Sequence, residues 1–162
     1  MADPKQILAA AIDLERFGVE YYARFNQLVA DNKAKALMLS LSNDEKEHAS
    51  ILEKELKALG GDPVPASKEM VEKGVAEIFP KKIKGKSIAV KDAVSAIKVG
   101  IETEQKSIDY YSKNGEAAGP SLKGIFEKLQ KMEEGHKELL EENLRSLEDD
   151  GVWYGYVPIL EG

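Results

Sequence analysis

The sequence predicts an all-α fold, a four-helix bundle built from two helical hairpins. Three observations carry this. Four long stretches repeat apolar residues at alternating steps of three and four, the period of one helix face. Ala, Leu, Glu and Lys, the strong helix formers, are abundant throughout. The chain also repeats itself: Glu45-Lys46-Glu47-His48 and Glu133-Glu134-Gly135-His136 are two copies of Glu-x-x-His, and they contain both histidines of the 162 residues.

The first helix starts at Asp3-Pro4, an N-cap acceptor followed by proline at the first helical position. Its stripe runs Leu8, Ile12, Glu15, Val19, Tyr22, Asn26 and Val29, and Asp31-Asn32 breaks it. The second reads Met38, Leu41, Glu45, His48, Leu52, Leu56 and Leu59, and stops at Gly60-Gly61 before Asp62-Pro63. The third reads Val90, Val94, Ile97, Ile101, Glu104, Ile108 and Tyr111, ending at Asn114-Gly115. Gly119-Pro120-Ser121 opens the fourth, which reads Leu122, Phe126, Leu129, Glu133, His136, Leu140, Leu144 and Leu147.

Midway along each stripe, a glutamate replaces the aliphatic residue. Solvated glutamates sit off the stripes, as Glu47, Glu53, Glu141 and Glu148 do, whereas Glu15, Glu45, Glu104 and Glu133 lie on them. Glu15 and Glu104 also open near-identical phrases ending in Tyr21-Tyr22 and Tyr110-Tyr111. Two hairpins related by a pseudo-twofold axis follow, with a site on that axis. A single domain over 1–162 is expected, with the bundle at about 4–148, a crossover at about 60–88 and a non-helical tail at 149–162. Helices of about 26 residues span ~39 Å, so the crossover must run the bundle's length, and a short helix is expected in it at 67–79. Lys81, Lys82, Lys84 and Lys86 read as a solvated loop. The tail, with the sole tryptophan at Trp153, is expected to fold back on the bundle or a neighbouring subunit. A lid over the site is the alternative.

Residues three apart on a helix share a face, so Glu-x-x-His aims a carboxylate and an imidazole at one point. Four carboxylates buried without partners would each carry a penalty of several kcal/mol, and mutual repulsion would raise their pKa values. Two divalent cations balance the four negative charges. Mixed oxygen and imidazole ligands suit iron, manganese or zinc, and a pair of metals about 3.5–4 Å apart is an established arrangement for oxygen chemistry. The candidate ligands are therefore Glu15, Glu45, His48, Glu104, Glu133 and His136. Tyr22 and Tyr111, on the same face two turns beyond a seam glutamate, read equally well as residues orienting carboxylates or supplying a proton or electron, and as plain core aromatics.

Composition narrows the rest. The net charge is −6, and no basic face with interleaved aromatics is present, so nucleic acid is not an expected partner. With no cysteine in the chain, disulfides, thiolate metal sites and iron–sulfur clusters are excluded from these residues. No apolar run approaches the ~20 residues of a membrane span, and the N-terminus lacks the layout of a secretory signal. A cytoplasmic protein is the expectation.

These residues closely resemble the ferritin-like superfamily and, within it, rubrerythrin-type diiron proteins, over about residues 4–148. The resemblance implies a left-handed bundle holding two iron ions, with manganese or zinc as substitutes. Glu45 and Glu133 would bridge the metals, while Glu15 with His48 and Glu104 with His136 would be terminal ligands. It further implies reaction with hydrogen peroxide or dioxygen followed by re-reduction, and a homo-oligomer, a dimer being favoured. Two departures stand out. The rubredoxin domain that feeds electrons in rubrerythrins proper has no counterpart here, so the expected donor is a separate, rubredoxin-like protein. The extra carboxylate of the third bundle helix is missing too: Gly100, Ile101, Ser107 and Ile108 flank Glu104, and Glu102 faces elsewhere. That pattern is closer to a bacterioferritin ferroxidase site. Peroxide reduction in oxidative-stress defence is the leading expectation, and a ferroxidase the alternative.

Overall fold

In the computed structural model, residues 3–62, 66–79 and 88–155 are described. The lysine-rich segment 80–87 and the tail beyond Gly155 lie outside them. Among the described residues there are five helices and no strand: α1 (Pro4–Leu28), α2 (Asn32–Ala58), α3 (Ala66–Ile78), α4 (Val90–Asn114) and α5 (Pro120–Asp150). This is the all-α helical bundle that the periodicity predicts.

The ends follow from local chemistry. The Asp3 side chain accepts from the Lys5 backbone N–H at 3.0 Å and that of Asp31 from Ala34 at 3.0 Å, so each acidic residue satisfies an otherwise orphaned donor. α5 runs to Asp150, two residues beyond the expected end of the bundle. It ends there because Gly151 adopts a left-handed conformation (φ 69°), open to glycine at little steric cost.

α1 and α2 form one hairpin and α4 and α5 the other. The connection between them carries α3 along α1 and returns where the Ile88 N–H donates to Leu28 O at 2.7 Å. α4 therefore starts beside the end of α1 and runs antiparallel to it. Two tyrosines tie these helices together. The Tyr21 hydroxyl donates to Ala96 O at 2.6 Å, and that of Tyr110 donates to Ile7 O at 2.7 Å. Donor and acceptor in the second bond both lie 89 residues from their counterparts in the first, with α1 and α4 exchanged. The duplicated phrase is thus duplicated in space.

Two apolar clusters fill the bundle. One gathers Tyr21, Phe25, Leu37, Met38, Leu41, Ile97, Leu140 and Leu147, with Phe79 and Trp153 against it. The other gathers Leu8, Ile12, Leu52, Leu56, Leu122, Phe126 and Leu129. Fully burying one such side chain stabilises the fold by about 1.5–3 kcal/mol. Val19, Asn26 and Leu144, on the predicted stripes, are only half-buried. Gly18, Tyr21 and Phe25 are buried beside them, because the buried face of α1 is wider than one seam.

The tail does fold back on the bundle over its described part. Trp153 packs edge-on against Phe25, with ring centroids 5.7 Å apart. Asn143, fully buried, holds Gly155 from both sides: its amide donates to Gly155 O at 3.1 Å, and its carbonyl accepts from the Gly155 N–H at 2.7 Å.

Candidate metal centre

Glu15, Glu45, His48, Glu104, Glu133 and His136 are all buried, each at most 5% exposed. Their ligating atoms form two overlapping groups: Glu15, Glu45, His48 and Glu133 in one, and Glu45, Glu104, Glu133 and His136 in the other. Within each group the atoms lie within 4.8 Å of one another. Glu45 and Glu133 belong to both. The off-stripe Glu47, Glu102, Glu141 and Glu148 are exposed, whereas Glu53 is half-buried because it pairs with Arg16 at 3.1 Å.

The two halves correspond residue by residue. His48 Nδ1 lies 2.8 Å from Glu133 Oε1 and 3.3 Å from Glu15 Oε2. His136 Nδ1 lies 2.8 Å from Glu45 Oε1 and 3.7 Å from Glu104 Oε1. The imidazoles are nearly parallel, with centroids 6.0 Å apart.

Tyr22 and Tyr111 close the cluster on either side. On a single helix each lies near its own seam glutamate, yet each bonds across the bundle: Tyr22 donates to Glu104 and Tyr111 to Glu15. Burial, then the neighbouring carboxylate (Glu104 for Tyr22, Glu15 for Tyr111), push both phenols well above their ordinary range. They are therefore hydrogen-bond donors at neutral pH.

The carboxylates strain against one another. Burial, then Glu15, push Glu45 well above the usual carboxylate range; burial, then Glu104, do the same to Glu133. Burial works the same way on Glu104, but its contacts with Glu133, His136 and Tyr22 outweigh it and bring the group below that range. Burial alone would lower His136, but Asp44 and Glu104 push it up to about 10. Without cations, the cluster keeps protons that carboxylates normally lose.

Whether the residues fit metal ions can be tested on their unpaired atoms. Among the described residues, Glu15 Oε2, Glu45 Oε1, Glu104 Oε2, Glu133 Oε1 and the Nδ1 of both histidines are buried and make no well-aligned hydrogen bond, even where an Nδ1 and a carboxylate oxygen lie 2.8 Å apart. Buried polar atoms are rarely left so. Here every such carboxylate and Nδ1 atom belongs to the same cluster, in a donor set suited to iron, manganese or zinc. The residues fit two cations.

Two contributors were not legible in the sequence. Asp44, whose side chain is 39% exposed, sits 3.0 Å from His136 Nε2. Directly before Glu45, it reads as an ordinary solvated acid. Gly18 lets α1 lie against Glu45, since a Cβ there would stand 3.0 Å from Glu45 Oε2. Its place one turn after Glu15, on the same face, was the available signal.

Comparison with known proteins bears on the family and the fold. The family model for rubrerythrin matches residues 6–144. Among solved structures, a hypothetical protein from Pyrococcus furiosus is similar at 21% identity, covering 91% of each chain with a TM-score of 0.74. At that identity the likeness speaks for the fold. No curated protein matches.

Proposed function

The chain belongs to the rubrerythrin family, and on that premise we propose that its buried cluster is a two-iron centre that reduces hydrogen peroxide. The observation that carries this reading is the convergence of six buried, unpaired ligand atoms in two overlapping groups. Glu45 and Glu133, common to both groups, would be shared by the two ions. Glu15 with His48, and Glu104 with His136, would each hold one of them. Manganese or zinc can occupy the same donors.

When bound, iron supplies redox chemistry, delivering the two electrons that convert peroxide and two protons to two waters. The protein does the rest. Tyr22 and Tyr111 hold Glu104 and Glu15 in place and keep their own protons. The two apolar clusters restrict water on both sides of the polar layer. Re-reduction requires a redox module besides these residues, since none of the 162 is a cysteine; a rubredoxin-like protein meets that need. Oxidative-stress defence is the role that follows, with the chain acting in the cytoplasm as a homodimer. Among the described residues no helix is long and apolar enough to cross a membrane.

A second reading, a ferroxidase that takes Fe(II) as substrate, is favoured by one observation. Each of the four long helices contributes one carboxylate in matched positions, with Ser107 and Ile108 buried beside Glu104 where a further carboxylate could stand. Stopped-flow mixing of the reduced, iron-loaded protein separates the two. Faster reaction with peroxide than with dioxygen, without turnover of added Fe(II), is expected. The reverse preference would assign the ferroxidase. Replacing Glu45 and Glu133 together by alanine should abolish binding of two ions per chain; unchanged stoichiometry would refute the centre.

A further inference from the structure

The six ligands and the two tyrosines are duplicated, but the surroundings of the two histidines are not. His136 Nε2 lies 3.0 Å from Asp44 Oδ2. His48 Nε2 is also buried, yet among the described residues it meets no hydrogen-bonding group. The sequence accounts for the difference. His136 stands 88 residues after His48, and 88 residues after Asp44 stands Met132. Its half-buried thioether accepts hydrogen bonds only weakly and carries no charge.

An imidazole that binds a metal through one nitrogen carries its proton on the other. What that proton meets sets the tautomer, the ring orientation and the basicity of the ligating atom. Asp44 can accept from His136 Nε2–H, which leaves Nδ1, the nitrogen facing Glu45 and Glu104, as the atom that would ligate a metal. His48 Nδ1 faces Glu133 and Glu15 in the same way, but among the described residues no acceptor holds its outer proton.

We propose that Asp44 is a positioning residue that makes the two metal positions unequal. The position held by His136 and Glu104 binds its ion more tightly, and the one held by His48 and Glu15 fills last and empties first. This rests on the two-metal reading above and goes beyond it, because matched ligand sets alone would give matched affinities.

Zinc, which has no redox chemistry, is the probe. Titration of the metal-free protein against a competing chelator should give two constants about 10–100-fold apart, the range that the loss of such an outer partner typically costs. Asp44→Asn, at a partly exposed position where folding is not at risk, should weaken the tighter constant by tenfold or more and leave the other in place. Met132→Asp should strengthen the weaker one. In the zinc-loaded protein, 15N NMR should show a slowly exchanging Nε2–H on His136 that is lost in Asp44→Ala, which removes the acceptor, a signature that a merely structural role would not produce. Equal constants in the wild type, or equal weakening of both by Asp44→Asn, would overturn the proposal. A different result addresses the underlying reading: zinc stoichiometry unchanged by Glu45→Ala with Glu133→Ala would show that no two-metal centre exists.

Discussion

The hydroxyl of Tyr111, on α4, donates to the carboxylate of Glu15, on α1. Its counterpart Tyr22, on α1, donates to Glu104, on α4. Each hairpin thus holds the other's seam glutamate, and the two halves of the cluster are aligned only when the hairpins are docked.

Removing either hydroxyl tests that link. Tyr111→Phe should leave the aromatic packing against Phe126 intact and cost about 1–3 kcal/mol, because Glu15 loses its donor while buried. Chemical denaturation of the metal-free protein measures the cost, and zinc titration should show weakened binding at the Glu15 and His48 position. No change in either would reduce Tyr111 to packing.

The metal-free protein should lose stability as pH rises. Folded Glu45 and Glu133 bind their protons more tightly than in the unfolded chain, so their contribution is fully present below about pH 4.5 and is lost as pH climbs through their raised folded values. His136 works in the same direction, its contribution fading between 6.5 and about 10. Thermal melts from pH 5 to 9 should fall without metal. With saturating zinc they should fall less or rise, because cation binding favours the deprotonated ligands. A metal-free melting temperature that rises with pH would contradict this proton inventory.

Neutralising the two shared carboxylates should separate stability from binding. Glu45→Gln with Glu133→Gln keeps the shape and removes the need to retain protons at neutral pH. The metal-free protein should gain stability at neutral pH, because the folded state no longer has to hold the two protons, while zinc stoichiometry collapses. Denaturant unfolding beside zinc titration would show both, and a destabilised variant that still binds two ions would reverse the interpretation.

Close approach of α1 and α4 depends on Gly100. A Cβ there would stand 2.5 Å from the Tyr21 hydroxyl, which is itself bonded to Ala96 O. Gly100→Ala should therefore destabilise by about 1–3 kcal/mol despite alanine's better helix propensity. A stabilised variant in differential scanning calorimetry would show that the two helices can separate freely.

Asn143 governs the tail. Asn143→Ala should cost about 1–3 kcal/mol by leaving the Gly155 backbone groups unpaired, and should shift Trp153 fluorescence to the red as the ring leaves Phe25. An unshifted spectrum would mean that the indole holds the tail alone.

Much of this was legible along the chain. Helix ends were written in Asp3-Pro4, Asp31 and Gly119-Pro120, and the polar layer in four glutamates occupying aliphatic stripe positions. Those signals are local: caps act within a turn, and periodicity reflects the face a single helix must bury. They determined five helices, two matching hairpins and six candidate ligands. The tertiary structure alone decided the rest. Tyr22 lies two turns from Glu15 in sequence yet bonds Glu104, and Asp44 abuts Glu45 yet reaches His136 on another helix. Both contacts depend on how antiparallel helices face one another across the bundle, which no single-helix pattern encodes. Hence the duplicated ligands could be read from spacing, while the inequality behind the two histidines emerged only when Asp44 and Met132 were placed in space.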